Sequence, residues 1–334
     1  KLSNSLSRTI SISHYLPILR WGRDYDKVKL IDDSIAAVIV SIMLVPQALA
    51  LALIAGLPPQ AGLYASIVGL SIYALFGTSN TLSVGPVAVL SLMTAAALSK
   101  LGLSDSSQLL TAALTLAFLS GVFLLMLGLM RLGFMANFLS HPVISAFITA
   151  SAIIIGLSQV QYLLGTTSSG QNIVELLSSL GDSMGEVNWI TLVLGLGSIA
   201  MIIWCRTGLS SLLIKMGLGS RLVTSISRSG PVIVALLTGF LCYVFRLDQQ
   251  GVQLLGVVPA GLPELTVPDF SLELIRNLFW SAILLSIIGF VESISVAQTL
   301  AAKRREQIEL DQELIGLGAA NIAVSFSGGF PVCG

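Results

Sequence analysis

Charged residues are scarce in this sequence. Asp, Glu, Lys and Arg make up 10% of the 334 residues, while hydrophobic residues make up 54%. A soluble domain usually carries about 25% charged residues, so too few are present here to cover a soluble protein. The 17 basic residues are balanced by 17 acidic ones, which leaves no net charge to attract nucleic acid. The composition predicts a polytopic protein of the lipid bilayer with no nucleic-acid partner.

Cysteines and catalytic motifs are also few. The three cysteines, Cys205, Cys242 and Cys333, stand in apolar surroundings without the spacing of metal ligands, so we expect reduced thiols that serve in packing. The sequence has no HExxH motif, no GxSxG motif and no pair of aspartates within an apolar run. These absences disfavour an enzyme, and we expect no metal and no cofactor.

Long apolar runs, in contrast, recur along the whole chain. A membrane-spanning helix needs about 20 mostly apolar residues. Gly85 and Pro86 break the chain before the third run, and Pro331 breaks it before the last one. The predicted spans are residues 31–54, 60–77, 86–100, 108–130, 142–164, 188–205, 229–246, 277–302 and 309–326, followed by a tenth that begins near 329.

Basic residues are distributed unevenly over the predicted loops. Of the 17 lysines and arginines, all except Lys100, Arg246 and Arg276 fall on the same side of the membrane as the N-terminus. Cytoplasmic loops carry an excess of lysine and arginine. The pattern therefore predicts a multi-pass protein of the plasma or bacterial inner membrane with a cytoplasmic N-terminus.

Two polar residues occupy equivalent places in the two halves of the chain. Pro86 and Pro331 are 331 − 86 = 245 residues apart, and Gln47 and Glu292 are also 292 − 47 = 245 residues apart. Equivalent spans (first and eighth, third and tenth) are seven positions apart, and an odd number inverts the second copy. The spacing predicts an inverted repeat, and paired broken helices in such repeats mark the binding site of many transporters.

The third and tenth segments would then point their N-termini at each other near the middle of the membrane. Each N-terminus offers unpaired backbone N–H groups and about half a positive charge, so together they can bind an anion without lysine or arginine. Gln47 can donate a further hydrogen bond. The candidate substrate-binding residues are Gln47, Gly85, Pro86, Val87, Ala88, Pro331, Val332, Cys333 and Gly334.

Glu292 is the one carboxylate deep within a predicted span, in ILLSIIGFVESISVAQTL. A charge at the bilayer centre costs on the order of 3 kcal/mol, so this residue needs a partner or a function. We hypothesise that Glu292 binds the coupling ion, a proton, which crosses together with the anion. Sodium is the alternative coupling ion, although Val296 offers it no oxygen ligand one turn further on. A purely structural hydrogen-bonding role is the other alternative.

Several long motifs together resemble those of a known transporter family. The segments are LPPQAGLYASIVGLSIYALFGTSN, LSVGPVAVLSLM, SHPVISAFITASAIIIGLSQVQYLLG, LLGVVPAGLPELTVP and SGGFPVCG, and they are similar to blocks of the sulfate permease (SulP/SLC26) family in the same order. The resemblance implies an all-α fold of two inverted seven-span repeats, with a core bundle and a gate bundle. The implied domains are a cytoplasmic segment 1–30, core spans in 31–130, gate spans in 131–250, an extracytoplasmic loop 251–276 and core spans in 277–334, with the tenth span incomplete.

The resemblance also implies an activity. Members of the family transport small anions, so we expect sulfate as the substrate, with bicarbonate or a dicarboxylate as alternatives. A sodium-coupled bicarbonate symporter and a passive anion channel or exchanger of the same fold remain open. The resemblance further implies a homodimer, and a fragment that lacks the later spans and a C-terminal STAS domain. The resemblance also adds Leu51 to the candidate substrate-binding residues. Leu51 and Cys333 stand where the family often has an aromatic residue and Thr or Ser, respectively, which makes the predicted substrate pocket less polar.

Overall fold

The computed structural model describes residues 16–22, 25–103, 105–134, 141–166, 173–215, 223, 230–254, 261–263, 265–305 and 308–334. The regular structure of these residues is helical, apart from one isolated β-bridge. The helices are α1 (Ile18–Trp21), α2 (Lys27–Ile54), α3 (Pro59–Phe76), α4 (Ala88–Ser99), α5 (Ser106–Leu129), α6 (His141–Leu164), α7 (Ile173–Asp182), α8 (Trp189–Thr207), α9 (Leu209–Lys215), α10 (Gly230–Phe245), α11 (Leu272–Arg304) and α12 (Leu310–Ser325), with short 3₁₀ turns at Ser183–Glu186 and Leu247–Gln250.

The nine complete spans predicted from the sequence each correspond to a helix. Among the described residues, α2, α3, α5, α8 and α11 are long and apolar enough to cross a membrane, and α4 and part of α10 are shorter apolar helices. α11 begins at Leu272, five residues before the predicted start at 277, because backbone hydrogen bonding continues beyond the apolar run. Parts of the predicted N-terminal segment and of the predicted loop 251–276 lie outside the described residues. The predicted all-α polytopic fold is confirmed.

The chain divides into two compact units. Unit 1 contains Lys1–Leu30, Ala48–Ile148 and Pro259–Gly334, and unit 2 contains Ile31–Gln47 and Thr149–Val258. The boundary falls within α2, shortly after Pro46, where the missing proline N–H removes one helical hydrogen bond. The sequence-based boundaries placed residues 31–47 with the core spans, and the assignment of spans to core and gate stays a prediction.

α12 is the most completely buried helix of unit 1, and it packs mainly against α5 and α3. Glycines bring α5 and α12 into backbone contact. A Cβ at Gly318 would lie 2.7 Å from the backbone nitrogen of Leu125, and a Cβ at Gly121 would lie 2.7 Å from that of Ile322. Small residues at membrane helix interfaces permit this kind of close approach. The two helices therefore form a tightly packed pair.

Two further contacts join the helices of unit 1. The hydroxyl oxygens of Ser120 in α5 and Ser286 in α11 are 2.8 Å apart, and both side chains are buried. Gly62 of α3 lies directly against the carbonyl oxygen of Ala48 in α2, so no side chain fits at position 62. The first contact joins α5 to α11 and the second joins the end of α2 to α3, while α12 packs against both α5 and α3.

In unit 2, α8 has a capped N-terminus, and α8 and α10 expose apolar side chains. Asn188 precedes α8, and its Oδ1 accepts hydrogen bonds from the N–H groups of Ile190 and Thr191 at 3.0 and 3.1 Å. This is the usual role of asparagine at a helix N-cap. Many side chains of α8 and α10 are apolar and exposed, among them Val193 and Tyr243, which suits a surface that faces lipid.

We predict that Gly318→Ala destabilises the protein. The added methyl group would collide with backbone atoms of α5, and overpacking of this kind typically costs about 1–3 kcal/mol. The measurement is thermal unfolding of the purified protein in detergent. Gly197→Ala is the matched control, because a Cβ at this position within α8 has no atom within 4 Å, and alanine has the higher helix propensity. An equal fall of Tm in both variants would contradict the packing argument.

Candidate functional site

Two non-helical segments meet in unit 1. We call residues 77–87, which connect α3 to α4, the first segment, and residues 326–334, which follow α12, the second segment. The N–H of Gly85 donates to the carbonyl of Cys333 at 2.8 Å, and the N–H of Cys333 donates to the carbonyl of Gly85 at 3.1 Å. The two segments therefore cross as an antiparallel β-bridge, with the opposite directions that an inverted repeat requires.

α4 begins directly after the first segment. Val87 is its N-cap residue, in extended backbone conformation (φ −128°, ψ 154°), and no side chain caps the helix. The N–H groups of the first turn have no intrahelical partner in any α-helix, and the helix dipole adds partial positive charge there. This helix start therefore offers backbone donors and positive potential to an anion.

Side chains of α12 and α11 hold the second segment. Asn321 accepts a hydrogen bond from the N–H of Val332 and donates one to the carbonyl of the same residue, both at 2.9 Å. The hydroxyl oxygen of Ser293 accepts from the N–H of Gly334 at 2.9 Å. The N–H groups of Val332, Cys333 and Gly334 are thus all engaged by the protein. The N–H groups at the start of α4, in contrast, are capped by no side chain.

Glu292 of α11 faces the second segment. Its Oε2 lies 3.6 Å from the Sγ of Cys333, whose thiol donates to it. Cys333 is buried and Glu292 is half-buried. Within the described residues, no lysine or arginine is close enough to interact electrostatically with the Glu292 carboxylate. The hydroxyl of Ser295 is directed to the carbonyl of Val291 at 2.6 Å. The carboxylate therefore contacts the second segment through the Cys333 thiol.

Gly289 marks the place where α11, α4 and the second segment meet. A Cβ at this position would lie 3.3 Å from the Cβ of Cys333 and 3.3 Å from a methyl group of Leu90. Because Gly289 precedes Glu292 by three residues, it lies one helical turn away on the same side of α11. The missing side chain is what lets the second segment approach α11 beside Glu292.

The structure brings most of the predicted site residues together. Glu292 contacts Cys333, and the bridge joins the predicted residues of the two segments, namely Gly85, Pro86, Val87, Ala88, Pro331, Val332, Cys333 and Gly334.

Residues 329–334, where the sequence predicts the start of a helix, are not helical, since the N–H of Cys333 bonds to Gly85. Leu51 is buried in α2, and Gln47 is exposed and belongs to unit 2. The predicted roles of these two residues in binding stay predictions.

A second carboxylate, which the sequence did not single out, lies beside the first segment. Glu313, in the first turn of α12, is completely buried. Its Oε1 accepts hydrogen bonds from the N–H of Thr78 at 2.8 Å, from the hydroxyl of Thr78 and from the N–H of Ser79 at 3.1 Å, and its Oε2 accepts one from the hydroxyl of Tyr73 at 2.6 Å. From the sequence, Glu313 is only an acidic residue at a helix N-terminus, where the dipole favours it.

The crossing of the two segments defines the class of protein. Non-helical backbone at membrane depth is tolerated only where it is buried in protein or lines a cavity, and in transporters such breaks form the substrate site. A chain of apolar helices with two such breaks in contact has the architecture of a polytopic membrane transport protein. The profile of the Sulfate permease family matches residues 30–334, and the chain belongs to this family.

Curated relatives agree with this assignment. The chain is 35% identical over 325 residues to a probable sulfate transporter of Mycobacterium tuberculosis. This match covers 97% of this chain and 55% of that protein. It is also 36% identical over 329 residues to the chloroplastic sulfate transporter 4.1 of Arabidopsis thaliana. That match covers 97% of this chain and 46% of the relative. The chain therefore spans about half the length of these relatives.

Solved structures show the same fold. SLC26A9 matches with a TM-score of 0.83 at 25% identity, over 96% of this chain and 52% of that chain. The transmembrane domain of the cyanobacterial bicarbonate transporter BicA matches with a TM-score of 0.75 at 22% identity, over 93% of this chain and 76% of that chain. The fold predicted from the sequence motifs is confirmed by these two likenesses.

We predict that a Gly85→Cys variant forms a disulfide with the native Cys333. Residues in a hydrogen-bonded antiparallel pair have Cα atoms about 5.5 Å apart, within the Cα range of disulfides, and the Cys333 thiol would have to rotate away from Glu292 towards position 85. There is room for the side chain, because the nearest atom to a Cβ at Gly85 is the hydroxyl of Ser66 at 3.7 Å. The measurement is the loss of free thiols after oxidation with copper phenanthroline in air, in protein whose other cysteines are replaced by alanine.

The matched control for this cross-link is Val84→Cys. Val84 is as buried as Gly85, but successive residues of an extended chain point to opposite sides. Its introduced thiol should therefore not reach Cys333. Equal cross-linking from positions 84 and 85 would contradict the observed pairing.

Proposed function

We propose that the protein is a secondary active transporter of inorganic anions, with sulfate as the favoured substrate and with protons bound at Glu292 as the driving ion. The observation that carries the proposal is the crossing of the first and second segments at Gly85 and Cys333, with Glu292 against Cys333. The curated relatives named above are a probable sulfate transporter and a sulfate transporter, which supports the substrate class. Bicarbonate and dicarboxylates are the alternative substrates.

The anion would be held mainly by backbone groups. The uncapped start of α4 supplies N–H donors and the positive end of a helix dipole, as in other anion sites built on helix N-termini. The second segment closes the other side of this site, and its own N–H groups serve to hold it in place. Binding therefore needs no lysine or arginine.

Coupling follows from the position of Glu292. Protonation removes a negative charge close to the proposed anion site and so favours anion binding. By thermodynamic linkage, a bound anion favours the proton to the same extent. A sodium ion would instead need several oxygen ligands, whereas Val296 has none and Ser293 already binds Gly334. These contacts favour the proton over sodium.

The proposal includes the cellular setting. The excess of lysine and arginine on one side supports a cytoplasmic N-terminus in a protein of the plasma or bacterial inner membrane. A homodimer is proposed from the resemblance to the family.

We predict that Glu292→Gln abolishes proton-driven accumulation while anion exchange partly survives. The amide resembles the neutral carboxyl group but cannot take up or release a proton. Without a coupled proton the imposed pH gradient supplies no driving force, so accumulation should fall to the level that exchange alone reaches. The measurement is radiolabelled sulfate uptake by the full-length protein in proteoliposomes, under an imposed pH gradient and in exchange without a gradient.

Glu273→Gln is the matched control, because it makes the same substitution on the same helix at an exposed position in the first turn. It should leave accumulation unchanged. If accumulation by Glu292→Gln still followed the pH gradient, Glu292 would have no part in coupling. Accumulation that instead followed an imposed sodium gradient in the unmodified protein would favour the sodium alternative.

We also predict that related oxyanions compete with sulfate. A site of backbone donors and helix dipoles recognises charge more than shape, so selenate and thiosulfate should inhibit sulfate uptake. Dimethyl sulfone, which has sulfur-bound oxygens but no charge, is the control and should not inhibit. If sulfate were transported and neither oxyanion inhibited at large excess, the site would not be a backbone anion site.

A further inference from the structure

We propose that α12 sets the relative position of the two crossing segments, with Glu313 as the positioning residue for the first segment and Asn321 as the positioning residue for the second. The expected effect on transport rests on the proposed function. The expected effect on the pairing of the segments does not.

Glu313 is suited to hold the first segment. Three of its four donors belong to Thr78 and Ser79, at the beginning of the first segment, which continues through Gly85 to the start of α4. Hydrogen bonds to a carboxylate are roughly twice as strong as those between neutral groups, and a buried carboxylate without them would be very costly. The carboxylate and the donors around it therefore stabilise each other in one arrangement.

Neighbouring residues of α12 support the same end of the first segment. The Nε2 of Gln312 donates to the carbonyl of Phe76, the last residue of α3, at 2.7 Å. Gly316 lies against Gly77, where an added Cβ would come within 3.1 Å of the Gly77 backbone. The first two turns of α12 thus contact the chain where it leaves α3.

Asn321 holds the second segment from the same helix. Its side-chain amide pairs with both backbone groups of Val332, the residue immediately before the bridging Cys333. The side chain is 1% exposed, so no water replaces these bonds without a change in packing. Because the amide both donates and accepts, it fixes the orientation of the Val332 backbone as well as its position.

The two anchors belong to one rigid element. Glu313 and Asn321 are eight residues apart, which is about 12 Å along a helix axis. The close approach of the α12 and α5 backbones at Gly318 and Gly121 opposes a shift of α12 along its axis. The distance between the anchors therefore determines how the first and second segments meet at Gly85 and Cys333, and hence the shape of the space beside α4.

The first experiment uses the Gly85→Cys cross-link to Cys333 as a measure of pairing, in the full-length protein. Glu313→Ala and Asn321→Asp should each lower the cross-linking yield several-fold. Asn321→Asp keeps the acceptor for the Val332 N–H but places a negative oxygen against its carbonyl. Glu313→Gln, which keeps an acceptor for Thr78 and Ser79, should restore much of the yield lost in Glu313→Ala.

Ser325→Ala is the matched control. Ser325 is completely buried on α12, and its hydroxyl donates within the helix to the carbonyl of Ile322. The cross-link yield should not change in this variant. If Glu313→Ala fails to fold, Thr78→Val tests the same anchor, because it keeps Glu313 and removes one donor, and it should lower the yield by a smaller amount.

The second experiment measures sulfate uptake by the same anchor variants without the cross-link. Displaced segments should raise KM several-fold, with a smaller change in kcat, and should alter the preference between sulfate and selenate. A merely structural role would lower the amount of folded transporter and leave KM and this preference unchanged.

The two experiments separate the two proposals. Cross-linking that depends on Glu313 and Asn321 in a protein that transports no anion would refute the proposed function and leave the positioning role in place. Unchanged cross-linking in both anchor variants, or an unchanged KM together with normal transport, would overturn the positioning role.

Discussion

A pair of backbone hydrogen bonds between Gly85 and Cys333 allows this chain to leave helical structure inside a membrane protein. Polar backbone groups in an apolar environment must be paired within the protein, because an unpaired group there costs several kcal/mol. Asn321, Ser293 and Glu313 meet the same requirement for neighbouring residues of the two segments. The first turn of α4 differs, because no side chain caps its N–H groups.

Tight packing in unit 1 supports this polar arrangement. α12 carries Glu313 and Asn321 and lies against α5 at the distance that only glycine permits, at Gly318 and Gly121. A side chain can fix the position of its hydrogen-bond partner only if the helix that carries the side chain is itself fixed. The polar contacts of Glu313 and Asn321 therefore depend on the close packing of α12. Gly289 provides the corresponding close approach between α11 and Cys333, which brings the Glu292 carboxylate to the second segment.

Local patterns in the sequence predicted the helices, the breaks before α4 and after α12, and the unusual position of Glu292. These features depend on apolar run length, proline, glycine and a lone charge, and each is readable within a short stretch. The buried state of Glu313 could not be read in this way, because its donors at Tyr73, Thr78 and Ser79 are more than 230 residues away in sequence. The predicted helix start near 329 differs from the extended backbone observed, because Cys333 pairs with a residue of the other half.

The sequence by itself determined the class of protein. Its high hydropathy predicts a membrane protein, the 245-residue spacing predicts an inverted repeat, and the contiguous motifs resemble the sulfate permease family. Only the tertiary structure decided which backbone groups are used and which are left over. The N–H groups of Val332, Cys333 and Gly334 are taken by Asn321, Gly85 and Ser293, while those at the start of α4 are not. The physical reason is that hydropathy and helix breaks are properties of neighbouring residues, whereas hydrogen-bond satisfaction depends on partners that folding alone brings together.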